Sequence, residues 1–223
     1  SRGNRAVSVK ISKASKMPCP SWSLPAWFTC PGARQPDGSP TEACSKCYAL
    51  QGRYLFRNVR EAREHNRSDW QRSGWVSDMV EIIKGEKFFR WFDSGDIYSV
   101  KLAQKILAVC ISTPETQHWI PTRSYKIPKM EKVLGALACL DNVVVRWSAD
   151  NIDDHKAFGR EAEHSSVIVS NTPKKLRKGS VLCEAYSRGG KCGSCRSCWS
   201  KSVDTILYPI HGGSASTKTM RRK

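Results

Sequence analysis

Seven of the ten cysteines in this 223-residue chain fall into two groups whose spacing points to metal chemistry. The C-terminal group reads Cys183-x8-Cys192-x2-Cys195-x2-Cys198. Zinc usually takes two separated Cys-x2-Cys knuckles, each delivering two ligands. Here three cysteines follow one another at two-residue gaps on one short loop. That spacing suits three corners of a cubane iron–sulfur cluster, with Cys183 at the fourth. Gly189, Gly190 and Gly193 let such a loop wrap closely. A 4Fe–4S cluster is the expectation and zinc the alternative. In a zinc site Cys192, Cys195, Cys198 and His211 would make a Cys3His set; otherwise His211 reads as a histidine at a strand end.

The N-terminal group reads Cys30-x13-Cys44-x2-Cys47-Tyr48-Ala49. Three thiolates on a cubane leave one iron without a protein ligand. An open metal position is what a small-molecule ligand needs. Cys19 is the alternative fourth ligand, which would make the site structural. Cys110 and Cys139 lie in apolar runs and read as core. No signal-peptide-like apolar segment opens the sequence, which makes metal sites the expectation over a disulfide framework.

Groups of this kind need rigid elements to hold them. Short β-branched or aromatic runs predict strands at Val7–Ile11, Phe88–Asp93, His118–Pro121, Val143–Ser148, Ser166–Ser170 and Thr205–Ile210. Apolar residues at helical spacing predict helices over Tyr54–Trp70, Val76–Lys84, Val100–Ile111 and Lys129–Leu140. The alternation implies a mainly parallel sheet with crossover helices, and six strands fit a partial (β/α)6 barrel. One such domain would cover residues 1–211, with 183–198 as a four-cysteine loop and 212–223 as a flexible basic tail.

In such folds the active site gathers at the C-terminal ends of the strands. Four predicted strands end in polar residues: Asp93-Ser94-Gly95-Asp96, Pro121-Thr122-Arg123-Ser124, Ser148-Ala149-Asp150-Asn151 and Ser170-Asn171-Thr172. The first cysteine group follows the first strand onto the same rim. Ser94, Gly95, Asp96 and Asn151 are candidate cofactor-binding residues, and Asp93, Asp96 and Arg123 candidate catalytic ones. Asp96 alternatively caps the helix that follows it.

Lysine and arginine number 37 against 20 acids, a net charge of +17. Such an excess favours a polyanionic partner, most simply nucleic acid. On the first predicted helix, Leu55, Val59, Ala62 and Trp70 lie on one side. Arg53, Arg57, Arg60, Arg63 and Arg67 fall within about 120° on the other. That ridge is the candidate phosphate-contacting surface, and a solvated face salted by Glu61 and Glu64 is the alternative. No stretch is long and apolar enough to span a membrane, so no membrane partner is expected and the expected location is the cytoplasm, the host's if the protein is phage-encoded.

The segments "SLPAWFTCPGA", "CSKCYA", "FDSGDI", "IPTRSYK", "RWSADNID" and "GKCGSCRSCW" together resemble the bacteriophage gene-product-88 family, from about residue 19 to 211. The same order of parts is similar to a compact radical S-adenosylmethionine enzyme. That resemblance implies that Cys30, Cys44 and Cys47 hold a cluster, with Tyr48 as the aromatic within the motif. It also implies that Ser94-Gly95-Asp96 meets the methionine amino group of S-adenosylmethionine, and that an electron donor is a partner. Thirteen residues separate the first two cysteines where that class has three, and SGD stands in place of its GGE. A second resemblance, through "FDSGDIY" and "PTR", is to tRNA-guanine transglycosylases. It implies a zinc-dependent base-exchange enzyme in which Asp93 recognises a base. A third reading is a binding module in which the clusters act only as staples.

Overall fold

The computed structural model of the protein describes residues 8–157 and 160–210. Ten strands run in chain order: β1 (Ile11–Lys13), β2 (Pro20–Trp22), β3 (Phe88–Trp91), β4 (Gln117–Thr122), β5 (Val143–Ser148), β6 (Lys156–Ala157), β7 (Arg160–Glu161), β8 (Ser165–Val169), β9 (Ser180–Leu182) and β10 (Thr205–Pro209). The helices are α1 (Glu42–Ser45), α2 (Arg57–Asp69), α3 (Trp75–Ile83), α4 (Val100–Ser112) and α5 (Glu131–Cys139). Eight strands form one sheet in the order β1-β2-β3-β4-β5-β8-β10-β9, and β6 and β7 pair separately. Every neighbouring pair in the large sheet is parallel except β1 with β2.

The fold is α/β with a mainly parallel sheet, and the sheet does not close on itself. Its two edges differ. At one edge β1 turns back antiparallel on β2. At the other β10 enters between β8 and β9, so the strand order reverses there.

Alternation along the strands divides the residues between two faces. On one face Phe89, Trp91, Ile120, Val143 and Val145 pack with α3, α4 and α5 through Trp75, Met79, Ile83, Leu102, Ile106, Val133 and Leu137. Trp22 of β2 joins them edge-on to Trp75 and Trp91, with ring centroids 5.2 and 6.0 Å apart. His118 is buried on this face. Trp91 Nε1 donates to its Nδ1 at 3.2 Å, and Thr113 Oγ1 lies 2.9 Å from its Nε2. Burial pulls the His118 pKa down to about 4, so the ring is neutral at pH 7.

The other face presents Phe88, Arg90, Trp119, Arg146 and Tyr208, and the chain from Cys183 to Trp199 lies across it. Trp199 packs edge-on against Phe88 and Trp119 at 5.5 and 5.2 Å and donates to the Phe89 carbonyl at 2.9 Å. Met17 and Cys19 complete this second apolar cluster.

The expected elements mostly recur within a residue or two, with three differences. The strand that feeds the first cysteine loop is β2, which begins at Pro20, and not the N-terminal run expected at Val7–Ile11. Val7 lies outside the described residues, and Ile11 opens the antiparallel edge strand. Proline is tolerated at a strand's first residue, where its missing N–H costs no ladder bond. The helix expected over Tyr54–Trp70 starts only at Arg57, because Phe56 is extended (φ −59°, ψ 139°) and a 3-10 turn over Gly52–Leu55 precedes it. Finally, β9 and the β6–β7 hairpin carry no clear pattern in the sequence. The tail, 212–223, and His211 lie outside the described residues.

Candidate functional site

The C-terminal ends of β2, β3, β4 and β5 form one rim, and the first cysteine loop is fastened across it. Gly32, next to Cys30, lies so close to the end of β4 that a Cβ there would collide with the Arg123 carbonyl. Lys126 Nζ donates to the Gly32 carbonyl at 3.2 Å and to Asp150 Oδ2 at 2.6 Å. Near the other end of the loop, the Ala43 amide donates to the Asp150 carbonyl at 2.9 Å, and Glu42 accepts from the Ile152 amide at 2.9 Å. The loop bearing Cys30, Cys44 and Cys47 therefore spans from β2 to β5.

Asp96 and Arg123 lie beneath it. Asp96 is buried and accepts from the Ile97 amide at 2.7 Å, the Thr122 hydroxyl at 2.6 Å and the Arg123 amide at 2.8 Å. Burial raises its pKa to about 6 despite these three donors. They use three of the roughly four acceptor positions of a carboxylate. Asp96 thus ties the end of β3 to the end of β4. It does not cap α4, whose N-cap is Ser99. The Arg123 guanidinium donates to the Ala149 carbonyl at 2.7 Å and faces Asp150 at 3.5 Å. Burial opposes its charge, but Cys44 and Asp150 hold its pKa above the usual value.

The three thiols of this loop feel one another. Burial pushes the Cys30 thiol well up, reinforced by Asp96 and by Cys44 and Cys47. The Cys47 thiol is pushed up by burial and by Cys44, with Arg123 acting in the opposite sense. Gly95 has a packing role here: at φ +77°, a Cβ would meet Leu24 and Thr29 at 2.6–2.7 Å.

Asp93 and Ser94 belong to a separate buried network. Asp93 accepts from the Ser23 hydroxyl, from Tyr54 at 3.4 Å and from Arg63 at 3.3 and 3.4 Å, and Tyr48 donates to its carbonyl at 2.7 Å. Arg63 also donates to Ser94, whose hydroxyl donates to the Leu24 carbonyl at 2.8 Å. Arg63 is only 8% exposed, which corrects its placement on the outer ridge. The inner face of α2 is polar: Asn66 binds Lys10 and the Ser23 carbonyl, and Arg63 binds Asp93. Arg53, Arg57, Arg60 and Arg67 remain exposed, with Arg57 paired to Glu61 and Arg67 to Glu64. Asn151 is exposed and binds Asp154 at 3.4 Å.

The second cysteine segment is held by one strand residue. Arg146 of β5 is fully buried and donates to the carbonyls of Ser197 (2.9 Å), Cys198 (3.3 Å), Ser200 (2.7 Å), Val203 (2.6 Å) and Asp204 (3.4 Å). The Cys183 amide donates to the Leu207 carbonyl at 2.8 Å, and Cys198 Sγ lies 3.2 Å from the Tyr208 hydroxyl. Burial raises the Cys198 thiol to about 11, and Cys183 adds to the rise. Cys192 is raised by burial and by its neighbours Cys183 and Cys195. Burial pushes the Cys195 thiol up, but the hydrogen bonds of Ser197 and the charge of Arg188 together pull it down.

Among the described residues, no three or more His, Cys, Asp or Glu side chains converge as ligands of a single ion. Within each set, thiols lie near enough to raise one another's pKa, and thiols are the donors that iron–sulfur clusters and zinc take. Cys19 sits in the apolar cluster of the second face, close enough to Cys192 to feel its charge, rather than with Cys30.

Arg90 and Arg146, the two arginines within strands of the large sheet, were missed from the sequence. Their signal was a charge inside an apolar strand pattern, as in FFRW and VVVRWS. No helix among the described residues is long and apolar enough to cross a membrane. No curated protein and no solved structure matches the chain. The profile of one family, described as gene product 88, matches residues 1–201, and the chain belongs to that family.

Proposed function

We propose that this protein is an iron–sulfur protein of radical-S-adenosylmethionine-like arrangement that modifies or binds nucleic acid or nucleotides. The observation that carries the reading is the meeting of Cys30, Cys44 and Cys47 with Asp96 and Arg123 at the C-terminal rim of a parallel sheet. That rim is where α/β folds bind ligands. Cys30, Cys44 and Cys47 would hold a 4Fe–4S cluster with one iron open. Cys183, Cys192, Cys195 and Cys198 would hold a second against the sheet's other face.

When bound, the first cluster supplies the electron that breaks the sulfonium bond of S-adenosylmethionine, replenished by an external electron donor. The chain's own residues orient the reactants. Asp96 has an acceptor position left for an ammonium group. The net charge of +17 supports a polyanionic substrate.

Anaerobic purification with iron and sulfide counts tests the reading. Two clusters are expected in the parent. One is expected in a Cys30→Ala/Cys44→Ala/Cys47→Ala variant, which should also lose 5′-deoxyadenosine formation under reducing conditions. Zinc without sulfide at both sites would overturn it.

A further inference from the structure

The two arginines in strands of the large sheet have opposite surroundings. Arg146 is saturated by backbone carbonyls. Arg90 is half-buried and held by neutral groups. Its guanidinium lies 4.3 Å from the Trp119 ring, one terminal nitrogen is 3.2 Å from the Met17 sulfur, and the other donates to the Tyr48 hydroxyl at 3.3 Å. Its Nε is buried without an acceptor. Among the described residues no carboxylate forms an ion pair with it: Asp93, whose charge reaches it, is held by Arg63, Ser23 and Tyr54. A cation drawn this far out of water calls for an opposite charge nearby.

Next to those neutral contacts lies a set of thiols. Met17 and Trp119, which the guanidinium touches, belong to the apolar cluster of the second sheet face. Cys19 is a buried member of that cluster, and Cys192, Cys198 and Tyr208 pack against it. The Cys192 amide donates to the Lys16 carbonyl at 2.9 Å, one residue before Met17, and Cys198 Sγ lies 3.2 Å from the Tyr208 hydroxyl. The charge of Arg90 is felt at Cys19, Cys192 and Cys198, where it acts against burial. Lys16, Arg146 and Arg188 add charge of the same sign at Cys192, Cys198 and Cys195. Of these, Arg146 is taken up by carbonyls and Arg188 by Glu184. A neutral thiol gives a cation little in return. Four thiolates carry more negative charge than a zinc ion or an oxidised cubane core carries positive, so a loaded four-cysteine site is an anion.

We propose that Arg90 is the counter-charge of the metal centre held by Cys183, Cys192, Cys195 and Cys198. This rests on the reading of those four cysteines as a metal site and adds the residue that stabilises the charge of the loaded site. Arg90 is a positioning residue here: it acts on the centre through charge, and Trp119, Met17 and Tyr48 hold it in place. A fixed cation favours the more negative state of whatever it faces, so Arg90 makes the second centre easier to reduce and harder to strip of its metal.

The test uses the full chain, anaerobically purified, and compares Arg90→Gln and Arg90→Lys with the parent. Both variants lose the planar fork, and only Lys keeps the charge. One readout is the metal kept at the second site in a chelator titration. The other, with iron present, is the midpoint potential of the second cluster, identified as the one that survives in the Cys30→Ala/Cys44→Ala/Cys47→Ala variant. Arg90→Gln should give up its metal at about 10- to 100-fold less chelator, the worth of one charge-assisted contact. Its second cluster should have a more negative midpoint potential, with the first cluster moving less. Arg90→Lys should stay near the parent in both readouts. If Arg90→Gln holds no metal at all, metal retained in Arg90→Lys supports the counter-charge. If the two variants behave alike, both like the parent or both equally impaired, or if only the first cluster shifts, the counter-charge is overturned and the metal reading stands. Zinc at the second site with retention that follows the charge at position 90 overturns the iron–sulfur reading and supports the counter-charge. If the parent holds no metal there, both fall.

Discussion

The two cysteine regions are built on different principles. The rim loop is fastened at several independent points: Gly32 against the end of β4, Lys126 and Arg123 to Asp150, Ala43 and Glu42 to the chain after β5. The C-terminal segment has little regular structure and depends on a few anchors, chiefly Arg146 and Trp199. Distributed fastening keeps a site's shape when one contact is lost. Concentrated fastening makes a segment fail as a unit. The rim is therefore suited to precise placement of groups, and the C-terminal segment to stapling.

The largest expected effect breaks the second kind of fastening. Arg146→Ala removes a fully buried side chain that donates to five carbonyls and should cost about 3–5 kcal/mol, near the upper end for point mutants. Limited proteolysis should then cut between Cys183 and Val203 while the β2–β5 region stays protected. Unchanged melting and cleavage would show that the segment is held by other contacts.

A control that loads neither cysteine region uses His118, in the common core. Its folded pKa, about 4, lies below the unfolded value of 6.5. The folded state therefore binds fewer protons between these values, and stability is full above pH 6.5 and falls towards pH 4. The loss should reach roughly 3 kcal/mol and be absent in a folded His118→Gln variant. Asp96, raised to about 6, changes stability in the opposite sense over the same range, so urea titrations at several pH values measure the effect as the difference between the parent and His118→Gln, and parallel profiles contradict it.

The smallest effect sharpens the contrast at the rim. Gly32→Ala forces a Cβ into the Arg123 backbone and should cost about 1–3 kcal/mol. Iron at the first site should fall while that at the second is retained. Equal loss at both sites would mean that the two regions are coupled, against the distinction drawn here.

Much of this architecture was legible beforehand because its signals are local. The β-branched run Val143–Ser148 is a strand at those bounds, and the polar strand ends do share one rim. What stayed hidden depended on distant partners. Helical arithmetic put Arg63 on the solvent side, because nothing nearby reveals that Asp93, thirty residues on, is its partner. Pro20 masked β2, since a three-residue strand starting with proline has no period to detect. The strand order was equally out of reach, for strand count does not fix it.

That order has a consequence in time as well as space. β10 is the last described strand, yet it lies inside the sheet, between β8 and β9. During synthesis β2, β3, β4 and β5 can pair one after another as each emerges, so the rim can assemble early. β8 and β9 must wait with open edges until Thr205–Pro209 leaves the ribosome and slots between them. The Cys183–Cys198 segment is made before the strand that anchors Cys183 and contacts Cys198. Its wait is nevertheless short, 10 residues from Cys198 to Tyr208 against 103 from Cys47 to Asp150, so the cysteine segment made last is held soonest after it is made.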